Sequence, residues 1–312
     1  MSALRESLTQ YITVRRTLGS SFKEPAGSLS RFVDFVAERG SEFITIELAL
    51  KWATQSPLVQ RATWSRRLTQ VRGFATWVSA VDLRTEVPPQ RLLNIGHRRN
   101  RPYIYSDEEV RKLMGRAAIL PSPSGLRAHT YVTLVGLLAS TGLRPGEAIN
   151  LNKSDVELKD GILSVRDSKH GKSRFVPVEG SVREALAAYA RLRDTLGPPD
   201  QDKAFLVSER GRRLKGHSAR RTFAKMSAAI GIRESLPCPG IGRGPRLQDF
   251  RHTFATKRII EWYRAGLDID RELPKLSTYL GHSRTADTYW YIQAVPELLQ
   301  LATERYDRGG EQ

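Results

Sequence analysis

Leu280-Gly281-His282-Ser283-Arg284-Thr285-Ala286-Asp287-Thr288-Tyr289-Trp290-Tyr291 sets a glycine and a histidine at the end of one helical run and an aromatic cluster on the next. Such a cluster usually marks an apolar core, and a lone histidine is more often structural than reactive. Two arginine-centred stretches precede it: Thr141-Gly142-Leu143-Arg144-Pro145-Gly146-Glu147 and Asp249-Phe250-Arg251-His252-Thr253. A tyrosine, two arginines and a histidine drawn from separate segments suffice to attack a phosphodiester and hold its transition state. The fold decides whether these four groups meet.

Arg144 follows a helix stop and precedes Pro145, which suits the first turn of a new helix. Its guanidinium fork can offer paired donors to two non-bridging phosphate oxygens, and Glu147, one turn on, can orient it. Taken alone, the two also fit a plain surface ion pair at i, i+3. Arg251 opens an apolar-rich helix behind Gln248 and Asp249, where side chain and backbone N–H groups can face an anion together. Asp249 equally fits an ordinary N-cap. Lys169 lies in Asp167-Ser168-Lys169-His170-Gly171-Lys172-Ser173, which joins two strand-like runs, 162–166 and 174–178, as a hairpin. A lysine there can enter a DNA groove or protonate a leaving oxygen, and a solvated basic turn is the plainer alternative.

Residues 1–94 read as a helical domain. A first helix from residue 2 sets Leu4, Leu8, Tyr11 and Ile12 on related turns and stops at Gly19. A second, from Ser28, buries Phe32, Val33, Phe35 and Val36 and stops at Gly40. A third follows Thr45 and Glu47 through Leu48, Leu50 and Trp52. The fourth, over 61–80, turns Leu68, Val71, Phe74 and Val78 inward and shows Arg66, Arg67, Gln70 and Arg72 on its other face. That row is a candidate for phosphate contacts. Val87-Pro88-Pro89 breaks the pattern, and residues 95–105 form a basic linker in which Arg98, Arg99 and Arg101 are expected to cross a DNA backbone.

Ser106-Asp107-Glu108-Glu109 is a capping box that opens a second domain, 106–312, with Val110, Leu113 and Met114 turned inward. A buried helix over 131–138 follows, then the hairpin, a helix capped by Ser181 with Glu184, and a strand over 204–207. Further helices are expected around 218–229, 251–264, 274–280, 284–292 and 296–305. The fold class is mainly α with a small β-hairpin or sheet, in two domains.

Fifty Lys and Arg against 33 Asp and Glu give a net charge of +17, which favours nucleic acid as partner through counterion release. The 40% apolar and 27% charged composition is that of a globular chain. No run approaches the roughly 18 apolar residues of a membrane span, and the N-terminus has no signal pattern. The expectation is therefore a soluble, cytoplasmic protein with no membrane partner. A single cysteine, Cys238, excludes an internal disulfide, and no Cys/His cluster has zinc-ligand spacing, so neither metal nor cofactor is expected.

Taken in order, Thr-Gly-Leu-Arg-Pro-Gly-Glu, Ser-Lys-His-Gly-Lys-Ser-Arg-Phe-Val-Pro-Val, Gln-Asp-Phe-Arg-His-Thr-Phe-Ala-Thr and Leu-Gly-His followed by Tyr291 closely resemble the catalytic signature of the tyrosine recombinases, the phage-integrase family. The resemblance runs from Ser106 to the C-terminus by motif; residues 1–94 fit only in kind, as the family's helical core-binding domain. It implies a two-domain clamp on double-stranded DNA that cuts and rejoins strands through a 3′-phosphotyrosyl intermediate, without metal or ATP. By the same resemblance Arg144 and Arg251 hold the scissile phosphate, Glu147 supports Arg144, and Lys169 is the general acid, with Lys172 a second claimant. His282 donates to the phosphate, and Tyr291, nine residues after it, is the nucleophile, with Tyr289 ranked second and expected to pack. Lys172 and Arg174 are expected to face DNA. A homo-tetramer or an assembly with related recombinases is implied, with 296–302 as a helix that docks on a neighbour or on its own domain, and the ending looks most like mobile-element recombinases.

One position departs from the pattern. Gln248 stands where the family usually has a histidine, and glutamine cannot accept the proton of a phenol. His252, the next residue after Arg251, is expected to point roughly 100° away on the helix and not to substitute. Two alternatives follow: a strand-relaxing enzyme like the type IB topoisomerases, or a DNA-binding accessory protein with impaired activity.

Overall fold

The computed structural model describes residues 3–20, 22–57, 59–93, 102–166, 173–197, 203–234, 244–282 and 284–294. The chain divides into two compact units, Met1–Arg99 and Asn100–Gln312. The linker residues Arg98, Arg99 and Arg101, the hairpin lysines Lys169 and Lys172, and the segment 296–302 lie outside the described residues.

The first unit holds α1 (Ala3–Thr17), α2 (Lys23–Ala37), α3 (Ile46–Thr54) and α4 (Arg61–Val78). Their apolar faces meet in one core that includes Leu8, Phe32, Val36, Trp52, Val71 and Phe74. Thr45 caps α3 by accepting from the Leu48 N–H at 3.1 Å. Contrary to the sequence expectation, α2 starts at Lys23 rather than Ser28. Phe22, in the left-handed region at φ 43°, turns the chain, and Pro25 is tolerated in the first turn, so Ser28 lies buried inside the helix.

The second unit is helical around a small antiparallel sheet. Ser106 and Glu109 form the expected capping box at α5 (Asp107–Ala118). After it come α6 (Leu126–Thr141), α7 (Pro145–Asn150), and β1 (Val156–Glu157), β2 (Ile162–Val165) and β3 (Arg174–Pro177) in the order β1-β2-β3. The β2–β3 register ends with Val165 opposite Arg174, at the root of the predicted hairpin. Then follow α8 (Gly180–Leu196), α9 (Gly216–Ala229), α10 (Asp249–Arg264), α11 (Ile269–Leu280) and α12 (Ala286–Ala294). None of the described helices is long and apolar enough to cross a membrane.

Three local expectations fail for identifiable reasons. Ser181 does not cap α8, because the helix begins one residue earlier with Glu179 at the N-cap position and no side-chain cap bond. The 204–207 run forms only isolated bridges, Asn152 with Ala204 and Val207 with Arg213, so it is not a strand of the sheet. Helix α11 begins five residues before Pro274, because Asp268 accepts from the Asp270 N–H at 3.0 Å and starts it there.

Two cores organise this unit. The larger gathers Leu134, Leu138, Leu143, Leu163, Phe223 and Phe250. The smaller joins α10, α11 and α12 through Phe254, Ile259, Leu273, Leu276, Leu280 and Tyr291. The candidate site lies where α6, α10 and α11 end or begin beside this second core.

Candidate active site

Helix α6 stops at Gly142 and α11 at Gly281, both left-handed at φ 61° and 68°. The carbonyls freed at these two ends are the framework of the site. Arg251, in the first turn of α10 and only 2% exposed, donates Nη1 to the Gly142 carbonyl at 3.2 Å and Nη2 to the Leu280 carbonyl at 2.6 Å. A buried guanidinium is costly unless its donors are met, and two helix C-termini supply both acceptors and favourable dipoles. Burial lowers Arg251 to about 10, so it remains a cation at neutral pH.

Gly142 is required twice over. Its φ disfavours any side chain, and an added Cβ would lie 2.6 Å from Phe254 Cδ1. Gly142→Ala is expected to lower stability by about 2–4 kcal/mol, from left-handed strain and overpacking together, read as a shift of the urea midpoint. An unchanged midpoint would show that Phe254 can give way.

Arg144 stands at the N-cap position of α7. Its backbone N–H donates to Glu147 Oε2 at 2.9 Å, Nη1 donates to Oε1 at 2.7 Å, and Nη2 donates to the Gly281 carbonyl at 3.4 Å. Arg174 grips the same carboxylate, Nη1 to Oε1 at 3.1 Å and Nη2 to Oε2 at 2.9 Å. Burial alone would raise Glu147, but hydrogen bonds and charge from Arg174 and Arg144 outweigh it and hold the carboxyl at about 2.

This depressed value has a pH consequence of definite sign. The ordinary value is 4.5, so the Glu147 contribution is complete above it and is lost as pH falls toward 2. With its side chain 7% exposed, Glu147 is expected to contribute on the order of 3 kcal/mol at neutral pH. Urea midpoints measured from pH 6 down to pH 2 should fall, and Glu147→Gln should flatten that slope. An equally steep slope in the variant would assign the effect to other carboxylates.

Tyr291, on α12, is 3% exposed and its phenol lies within the electrostatic reach of Arg251. Burial raises the phenol above its ordinary value, while the charges of Arg251 and Arg144 pull it back down. His282 follows the Gly281 turn, and its ring stacks on Tyr291 at 5.9 Å between centroids. Its Nδ1 meets Thr288 Oγ1 at 2.7 Å, which leaves Nε2 as the nitrogen not engaged by Thr288. Burial and then the neighbouring arginines lower His282 to about 4, so the imidazole is neutral at pH 7.

The structure thus gathers Arg144, Glu147, Arg251, His282 and Tyr291. Gln248 sits at the N-cap position of α10, half-buried and with no side-chain cap bond. Three sequence expectations change. His252 is not remote from the site, because α12 packs against α10 and sets the ring 5.4 Å from Tyr291 and 5.2 Å from Trp290. Its Nδ1 is buried without a hydrogen-bond partner, and burial lowers it to about 4. Tyr289 does not pack; it is 41% exposed and donates to Asp270 Oδ1 at 3.0 Å. Arg174 does not face outward: besides Glu147, its Nε binds the Tyr279 carbonyl at 2.8 Å. Thr288 was missed altogether, although it lies one helical turn before Tyr291 and so shares its face.

In the first unit the basic row of α4 is not a free strip. Arg66 is exposed, with Glu24 at 3.6 Å. Gln70 donates to the same Glu24 at 2.9 Å, and Arg67 lies over the Trp52 ring at 5.6 Å. Arg72 donates to the Pro88 and Pro89 carbonyls at 2.8 and 2.7 Å.

The structure thus sets a phenol beside paired arginines and a neutral imidazole, with each arginine hung from helix-end carbonyls. The chain belongs to the phage integrase family, which matches residues 104–297, and it is a tyrosine recombinase. It is 40% identical over 315 residues to "Putative integrase/recombinase y4rB" of Sinorhizobium fredii (strain NBRC 101917 / NGR234), covering 100% of this chain and 99% of that protein. It is 27% identical over 252 residues to tyrosine recombinase XerC of Thermodesulfovibrio yellowstonii, covering 80% of this chain and 75% of that one. The fold is shared with the Tn1549 transposon integrase solved in complex with transposon right end DNA, at a TM-score of 0.67 and 16% identity over 98% of this chain and 99% of that chain. A lambda integrase dimer bound to a COC′ core site gives a TM-score of 0.60 at 18% identity, over 92% of this chain and 76% of that one. These findings place the activity in site-specific recombination and do not favour the topoisomerase or accessory-protein readings.

Proposed function

We infer that this recombinase cuts and rejoins double-stranded DNA with Tyr291 as nucleophile and with Arg144, Arg251 and His282 on the scissile phosphate. The observation that carries the reading is that a buried Arg251, fixed by two helix ends, sets its charge against the buried Tyr291 phenol while His282 stacks on the same ring. The phenol gives up its proton to one of the two neutral imidazole rings that flank it, its oxygen attacks phosphorus in line, a 3′-phosphotyrosyl bond forms, and the bond to the 5′ oxygen breaks. That oxygen takes a proton, a role suited to Lys169 on the hairpin loop. A 5′ hydroxyl of a partner strand then reverses the step, so the covalent bond conserves the energy of the phosphodiester. Preorganised donors of this kind typically supply on the order of 3 kcal/mol each to transition-state stabilisation. Gln248 can contribute a hydrogen bond but no base, whereas the neutral rings of His252 and His282 flank Tyr291.

The basic charge supports DNA as partner. Beyond the residues that the sequence pattern marks, Arg212, Lys215, Arg220, Arg221 and Lys225 are exposed around α9 and fit backbone contacts. The first unit serves in this reading as a core-binding domain, and four copies on two duplexes form the exchanging assembly. The test is a pool of nicked duplexes that trap the cleaved strand, followed by peptide mapping of the protein–DNA adduct. The adduct is expected on the peptide that carries Tyr291, and an adduct on Tyr289 would overturn the assignment.

A further inference from the structure

Arg174 opens β3, where a basic residue beside a hairpin reads as a DNA contact, yet its side chain is only 11% exposed. Its three contacts all run inward. Two go to Glu147, whose carboxylate also takes the backbone N–H and the guanidinium of Arg144, so four hydrogen bonds converge on one buried group. The third goes to the carbonyl of Tyr279, in the last turn of α11. The next two carbonyls of that turn, Leu280 and Gly281, are the ones that receive Arg251 and Arg144. Gly281 completes the arrangement: a Cβ there would lie 2.9 Å from Arg174 Nη1, so the guanidinium occupies the space a side chain would need.

We propose that Arg174 is a positioning residue of the cleavage site, which holds Glu147 and the end of α11 against β3 and thereby aims both Arg144 and Arg251 at the scissile phosphate without binding it. The inference rests on the reading that these two arginines hold that phosphate. Its physical basis is the fork geometry of arginine. One planar group spans two carboxylate oxygens and a carbonyl at once, which a lysine ammonium cannot reproduce. With Arg174 gone, Glu147 keeps a single cationic partner and the α11 turn loses a tie beside Arg251. Misplacing a reacting group by about 1 Å can cost on the order of 100-fold in rate.

The experiment measures single-turnover formation of the covalent adduct on saturating nicked duplex, with duplex affinity measured in parallel. Arg174→Gln and Arg174→Lys are expected to slow cleavage by about 10- to 100-fold while affinity changes by less than about threefold. Arg174→Lys keeps the charge and stem, and carries the test if the glutamine variant melts below the assay temperature. Two readouts separate aiming from general loss of structure. In an Arg144→Ala background, Arg174→Gln should cost clearly less than it does alone, because the part of its effect that runs through Glu147 and Arg144 is already lost and only the part that runs through α11 and Arg251 remains. On a duplex with an uncharged methylphosphonate at the scissile position, the defect should shrink, since that substrate needs less from the arginines. Cleavage by Arg174→Gln within about twofold of the wild type, or a full additive loss on top of Arg144→Ala, overturns the proposal. A fall in affinity that matches the fall in cleavage also overturns it and returns Arg174 to DNA binding. Failure of the unmodified chain to form any Tyr291-dependent adduct is a separate outcome, which removes the reading of the site itself.

Discussion

Tyr291→Phe is expected to form no covalent adduct at all, while binding duplex DNA about as tightly as the unmodified chain. The substitution removes one oxygen and keeps the ring, so the packing of Tyr291 against Leu273, Leu276 and Leu280 is retained. What disappears is the buried hydroxyl on which the charge of Arg251 acts. Its loss eliminates the nucleophile instead of slowing it, so the effect exceeds the roughly 100- to 1000-fold expected from removing one transition-state donor. Tyr289→Phe is the matching control. Its hydroxyl reaches only Asp270 on the protein surface, so the variant should cleave at close to the normal rate. The measurement is denaturant-resistant adduct on a nicked duplex, with affinity from a binding isotherm at fixed salt. Residual adduct in Tyr291→Phe that vanishes in Tyr289→Phe would sink the assignment.

Much of this site is legible without coordinates because its parts are local. The Arg144–Glu147 pair is one helical turn apart, Gly142 and Gly281 announce helix ends, and the capping box at Ser106 marks a helix start. The hairpin is equally visible from its polar centre and flanking strand residues, and β3 begins at Arg174 as its pattern suggests. What the pattern hides is long-range. Arg174 is separated by 27 residues from Glu147 and by 105 from Tyr279, and its burial depends on both. Nothing in the residues around it distinguishes a buried fork from a solvated one. His252 misleads for a similar reason. The turn angle from Arg251 is a fair guide to direction, but α12 crosses the neighbouring face of α10 and meets the ring there. The partners that the basic row of α4 finds, Glu24, Trp52 and the 88–89 carbonyls, are likewise hidden, because they belong to tertiary packing and not to the helix period.

The buried position of the proposed nucleophile has a mechanistic corollary. Tyr291 and Arg251 are almost wholly enclosed, and burial raises the phenol, so in the DNA-free chain the tyrosine is protonated and held. A neutral His282 fits the same state, because burial and then the guanidinium groups of Arg251, Arg144 and Arg174 discourage a further cation. A bound phosphate reverses that balance. Its negative charge offsets the arginines and favours a protonated imidazole, which then has two N–H groups to donate. The charge of the substrate thus helps to set the protonation state of the site that cleaves it.

Arg251 carries the other large effect, because it ties two helix ends and sets its charge against the phenol. Its guanidinium binds the Gly142 and Leu280 carbonyls and its charge acts on Tyr291, and in the proposed complex it also meets the phosphate. Arg251→Ala is expected to lower single-turnover cleavage by at least about 1000-fold, since transition-state charge and the pull on the phenol are lost together. It also leaves two buried carbonyls without a donor, at about 1–3 kcal/mol each, and a cavity beside Phe250 and Phe254. Loss of activity in that variant alone would therefore not separate chemistry from unfolding. Arg251→Lys does separate them. Lysine retains the charge and most of the volume, but its ammonium cannot span two carbonyls that come from different helices. The variant should melt as a folded protein and bind duplex nearly normally, yet cleave about 100-fold or more slowly. If Arg251→Lys instead cleaves within tenfold of the unmodified chain, charge alone suffices at this position. The fork geometry that ties α6 to α11 would then have no part in the chemistry.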